Sequence, residues 1–105
     1  MEIARVDVDG RPVPVMLDLA AGRVEMDVAG HLALIAVRQQ GTQLAAVHTE
    51  VPAALRGKGI GDTMARALLD YIRREGLTVL PYCPFVAAYI KRHRDYADLV
   101  DPSFA

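Results

Sequence analysis

The chain has 105 residues, enough for one domain with a real core and too few for two. With 52% hydrophobic and 24% charged residues it reads as globular, and a formal net charge of −1 with scattered cations gives no basic stripe for nucleic acid. No run reaches the roughly 20 apolar residues of a membrane helix, the first residues lack a signal-peptide layout, and the single cysteine excludes an internal disulfide, so a cytoplasmic protein is expected.

Residues 1–20 are predicted to form a β-hairpin. Ala4, Val6 and Val8 share one face, Arg5 and Asp7 the other, and Asp9-Gly10 is a two-residue turn signal. Val13, Val15, Leu17 and Leu19 line one face of the return strand. Pro12 and Pro14 cannot donate ladder hydrogen bonds, which places that strand at a sheet edge. After Ala20-Ala21-Gly22, residues 23–28 alternate cleanly, with Val24, Met26 and Val28 inward. Leu32 to Val37 is apolar without a break, which predicts a strand covered on both faces. Gln39-Gln40-Gly41-Thr42 is the next turn, and turns at this spacing imply an antiparallel meander paired in sequence order.

Residues 43–51 form a strand that enters a glycine loop. By period two, Leu44, Ala46, His48 and Glu50 share one face and Ala45, Val47, Thr49 and Val51 the other. His48 and Glu50 are then either a proton-handling pair or a solvated carboxylate beside a histidine that holds the loop. The loop Arg56-Gly57-Lys58-Gly59-Ile60-Gly61 sets three glycines at alternate positions before a helix. Glycine allows tight turns and close backbone approach, while the unpaired amides and dipole of a helix start attract negative charge, so the loop reads as a phosphate site. It is not a Walker loop, because Pro52 and Gly59 hold the wrong places. Nor is it a dinucleotide fingerprint, because Asp62 stands where the third glycine belongs.

The helix expected from about Gly59 to Glu75 buries Ile60, Met64, Leu68, Tyr71 and Ile72 as one stripe and is capped by Gly76. Leu77 to Leu80 is a short buried strand, parallel to the strand before the helix because a helical crossover joins them. In Pro81-Tyr82-Cys83-Pro84, Pro84 keeps Cys83 out of helical geometry and suits the first turn of a second helix. Cys83 therefore stands at a helix N-terminus, where a thiolate is stabilised; the alternative is a small buried hydrophobe. Residues 94–105 read as a polar tail.

Three blocks in this order carry a family resemblance: His48-Thr49-Glu50-Val51-Pro52, Arg56-Gly57-Lys58-Gly59-Ile60-Gly61, and Pro81 to Ile90 around Cys83. Over residues 22–100 the chain resembles the GNAT acetyltransferases, and within them a compact subfamily with a cysteine after the strand that follows the main helix. The resemblance implies a splay between the strands flanking the main helix, with acetyl-CoA in the gap. It implies cofactor contacts at Val51, Arg56, Gly57, Lys58, Gly59, Ile60, Gly61 and Cys83. It also makes Tyr89 the candidate acid for the departing thiolate, against an ordinary core tyrosine. Residues 1–20 are not part of the resemblance and read as an added hairpin or a pairing surface.

The fold expected is α/β: one domain over residues 1–105, a mainly antiparallel sheet of five or six strands with two helices. The function expected is acetyl-CoA-dependent transfer to an amine, probed at catalytic candidates His48, Glu50, Tyr89 and Cys83. The alternative is a CoA or acyl-CoA binding module without efficient transfer. Direct transfer is expected over an acetyl-cysteine route, with backbone near Glu50 and Val51 polarising the thioester carbonyl. No metal is expected, and the expected partners are CoA and an amine, with the chain monomeric or homodimeric.

Overall fold

The computed structural model describes residues 1–104. Six strands form one sheet in sequence order: β1 (Glu2–Val8), β2 (Arg11–Asp18), β3 (Arg23–Val28), β4 (His31–Gln40), β5 (Gln43–Glu50) and β6 (Thr78–Pro81). The first five run antiparallel, and β6 lies parallel to β5. Helix α1 (Ile60–Arg74) makes the crossover between β5 and β6, and α2 (Pro84–Arg92) follows β6. The expected α/β class, strand order and parallel pair are all present.

One face of the sheet is closed by α1. Val15, Leu17, Val24, Met26, Ile35 and Leu44 meet Met64, Leu68 and Ile72 in the core. Gly76, in the left-handed conformation at φ 67°, ends α1. The Leu77 amide donates to the Ile72 carbonyl at 3.0 Å, the closing bond of a Schellman cap. At the same end, the Arg74 guanidinium donates to the Ile3 carbonyl at 3.3 Å and ties α1 to β1.

Three expectations are corrected. The apolar run of β4 is not covered on both sides: Ala33, Ile35 and Val37 are buried, whereas Leu32 is 40% exposed. The two helices share one face, which leaves the opposite face of β4 open. β2 is not a whole edge strand, because β1 lies outside it; only Met16–Asp18 pairs with β3, so the half carrying Pro12 and Pro14 is paired on one side only. Finally, residues 94–104 are more than a tail. Residues Arg94–Leu99 form a 3-10 turn that buries Tyr96 and Leu99, and Val100 bridges to Val79 of β6. Tyr96 packs towards α1 and α2, donating to Asp70 at 2.7 Å beside the Tyr89 ring, and Val100 lies along β6, although charges alternate with these residues in the sequence.

Candidate active site at the parting of two strands

β5 and β6 pair through four residues each, from Gln43 with Thr78 to Ala46 with Pro81, and then part. β5 runs on to Glu50 with only β4 beside it. The next residue across the gap, Cys83, donates its backbone N–H to the Ala46 carbonyl at 2.8 Å. Cys83 also caps α2, with Pro84 at the first helical position, as the Cys-Pro pair predicts.

The parting coincides with a β-bulge. Ala36 pairs with His48 but Val37 pairs with Ala46, so Val47 has no partner of its own on β4. An extra residue reverses the alternation beyond it. Up to Ala46 the even-numbered positions face the core; past the bulge Thr49 does, opposite Ile35, while His48 and Glu50 face outward. The expectation that His48 and Glu50 share the face of Leu44 and Ala46 is therefore corrected. Thr49 now meets the thiol: its Oγ1 lies 3.1 Å from Cys83 Sγ. Cys83 itself is only 2% exposed.

After β5, Pro52 leads into a 3-10 turn at Ala53–Leu55, and Leu55 is buried beneath the loop like a peg. Gly57 and Gly59 adopt φ of 80° and 70°, a conformation that side chains resist, and a Cβ on either would enter open space. Gly59 caps α1 without any side-chain hydrogen bond, so the first amides of the helix are free for an anion. Gly61 serves a different need: a Cβ there would lie 2.6 Å from Phe85 Cζ. It admits the ring of Phe85 from the first turn of α2 and thus seats the loop beside Cys83. The Ile60 side chain is buried, which leaves its backbone to face the loop, and Val51 is half-buried at the loop entrance.

The two loop cations differ. Arg56 is exposed and makes no ion pair among the described residues. Lys58 is bound by Asp9 at the tip of the β1–β2 hairpin. Asp62, in the first turn of α1, is met by Arg92 of α2 at 3.2 Å, which offsets a carboxylate otherwise unfavourable beside an anion site.

His48 and Glu50 stand side by side on the open face, Nε2 to Oε1 at 3.8 Å and both well exposed. Tyr89 is 4% exposed, stacked on His93 at 4.1 Å between ring centroids and close to Tyr96. Burial pushes its phenol above the usual range, with Arg66 pulling the other way. The structure thus brings Thr49 to Cys83 and His48 to Glu50, on opposite faces of the sheet. Tyr89 makes its ring contacts in the cluster between α2 and the turn after it. Thr49, Phe85 and Asp9 were not singled out from sequence. Thr49 could be found only by knowing the bulge, and Phe85 only by knowing that α2 returns to the start of α1. No group of three or more potential metal ligands lies together among the described residues, and no helix there is long and apolar enough to cross a membrane.

The model of a family described as GCN5-related N-acetyl-transferase matches residues 23–99. Protein NATD1 of Gallus gallus is 41% identical over 46 residues, which cover 44% of this chain and 42% of that protein. Protein NATD1 of Homo sapiens is 41% identical over 46 residues, 44% of this chain and 41% of its own length. The Xenopus tropicalis protein of that name is 39% identical over 46 residues, with 44% and 42% covered. The chain thus spans about two fifths of the curated relatives it matches. The matched region begins at residue 23, so β1 and β2 precede it, and it takes in the bulge, the glycine loop and Cys83. The parted strands, the uncapped helix behind a left-handed glycine loop, and this match lead to one conclusion: the chain belongs to the GCN5-related N-acetyltransferase family.

Proposed function

We propose that the chain binds acetyl-CoA and moves its acetyl group to an amine by direct transfer. The observation that carries this reading is the uncapped start of α1, behind Gly57 and Gly59, seated by the Gly61–Phe85 contact next to the place where β5 leaves β6. The backbone of Gly57 to Gly61, Ile60 included, would hold the diphosphate, with Arg56 adding charge and Lys58 contributing less because Asp9 already holds it. Beyond the bulge, β5 backbone groups as far as Val51 have no β6 partner. They would bind the extended arm and polarise the thioester carbonyl.

In the transfer, the amine nitrogen attacks the carbonyl carbon, the C–N bond forms and the C–S bond breaks. His48, with Glu50 beside it, takes the ammonium proton directly or through water. The leaving thiolate regains a proton from Tyr89 or Cys83. Burial of Cys83 and its contact with Thr49 favour a cysteine that lines the thioester end over one that carries the acetyl group. This is the reason for preferring direct transfer to the two-step route.

Calorimetric titration with CoA tests the reading. The wild-type chain should bind, and Gly59→Val should lose binding while its circular dichroism stays native, because valine resists the backbone at φ 70°. Comparable affinity in a folded Gly59→Val protein would refute the loop assignment. Binding without acetylation of any amine would leave an acyl-CoA binding module.

A further inference from the structure

The open face of the sheet carries a groove of about 780 Å³ over β4, β5 and β6, closed at one side by the β2–β3 connection. Its lining changes along its length. Val47 and Tyr82 make an apolar end at the parting of β5 and β6, Leu80 lies level with Arg38 across Ala45, and Gln40 and Gln43 lie on the polar side beyond them. No aspartate or glutamate lines it, and Arg38 makes no ion pair among the described residues. His48 pairs with Ala36, which also lines the groove, and so stands at its rim near the bulge.

We infer that this groove receives the acceptor, and that the acceptor is a small amine carrying a carboxylate at its other end; the inference rests on the acetyl-transfer reading above. The bulge end is where an amine must arrive, because Val47 borders the strand gap and His48 follows it in the chain. The other end offers an unopposed guanidinium, whose planar fork matches a carboxylate, with glutamine amides beside it. A diamine or lysine-rich peptide would set its second cation against Arg38, in a groove with no acid in its lining to balance it. The span also sets a size. Arg38 pairs with Ala45, two residues before Val47, a rise of about 6.6 Å along the strand. That separation suits an amine and a carboxylate divided by a few methylenes.

The test uses the full chain, acetyl-CoA and three probes of similar length: γ-aminobutyrate, γ-aminobutyramide and putrescine. Wild-type protein should acetylate the carboxylate most efficiently, by about tenfold in kcat/KM over the amide, as expected of one exposed charge-assisted contact. Arg38→Ala should remove that preference through KM with kcat little changed, Arg38→Glu should favour putrescine, and both variants should bind CoA as the wild type does. Equal use of the three amines, a preference for putrescine in the wild type, or an unchanged ranking in Arg38→Ala overturns the inference while CoA binding keeps the transfer reading standing. CoA binding with none of the three acetylated overturns it too. Failure of the wild type to bind CoA removes both readings, and the titration distinguishes that case.

Discussion

The β3–β4 and β5–β6 junctions lie two strands apart in one sheet and are built to opposite ends. β3 and β4 pair without interruption from Arg23 with Ala36 to Val28 with His31, over a core in which Val24, Met26 and Ile35 are wholly buried. β5 and β6 pair over four residues and stop, and β5 goes on alone past a bulge. The first junction satisfies its backbone groups internally. The second leaves backbone groups over for something else, next to the chain's sole cysteine and an uncapped helix. The contrast separates stability from binding within a single sheet: α1 contributes its apolar stripe to the closed region and its amino end to the open one.

That separation can be broken by mutation. The largest expected effect is Leu68→Ala, which empties a fully buried position on α1 and should lower unfolding free energy by about 2–5 kcal/mol in denaturant titrations. CoA affinity of the folded fraction should hardly move; a large loss of affinity would show that the core and the site are one unit. Thr49→Val should cost less, about 1 kcal/mol for a single hydrogen bond. Its distinctive result is a change of several-fold in the rate at which iodoacetamide labels Cys83. A wild-type labelling rate would mean that the hydroxyl does not govern the thiol.

The smallest effect is expected beside β6. Asp101 accepts hydrogen bonds from the Ser103 hydroxyl at 2.6 Å, the Thr78 hydroxyl at 2.6 Å and the Ser103 amide at 2.9 Å. Those bonds hold its carboxyl well below the usual carboxylate range, those from Ser103 and Thr78 side chains most of all. A depressed folded value means stabilisation that is present above the ordinary carboxylate pKa of about 4 and lost as the pH falls below it. Asp101→Asn should therefore lower stability slightly at neutral pH, a difference that fades as the pH falls into the acid range where the wild type loses the same stabilisation. A change confined to acid pH would contradict this account.

Most of the fold was legible in the sequence because its signals are local. Asp9-Gly10 marked the hairpin, the alternation of Val24, Met26 and Val28 marked an inward face, and Gly76 marked the end of α1. The site was legible in its parts and not in their arrangement. Ala45, Ala46 and Val47 carry no polar residue or glycine to betray a bulge, so period two was carried one residue too far and Thr49 went unnoticed. Gly61 looked like its two neighbouring glycines, yet it answers to an aromatic ring 24 positions away, where Gly57 and Gly59 answer to backbone conformation. The Lys58–Asp9 pair joins residues 49 apart and has no local signature at all. The apolar run in β4 misled for another reason. Its members on the open face, Leu32, Leu34 and Ala36, have the same composition as a buried face.

The contacts of residues 94–104 with β6 also bear on how this sheet meets its own kind in a crowded solution. An unpaired outer strand is a template for edge-to-edge growth, and natural sheets guard against it. Here the two ends are guarded differently. On the β6 side, Val100 bridges to Val79 and the Asp101 amide donates to the Val79 carbonyl at 2.9 Å, so part of that border is already taken. On the β1 side, an irregular register between Glu2 and Ala4 and the charges of Glu2, Arg5 and Asp7 make a poor template. Cutting away residues 100–104 would uncover backbone along β6, four residues long and next to the parted strands. The expected cost of such a truncation is self-association, a colloidal fault that would surface before any loss of chemistry.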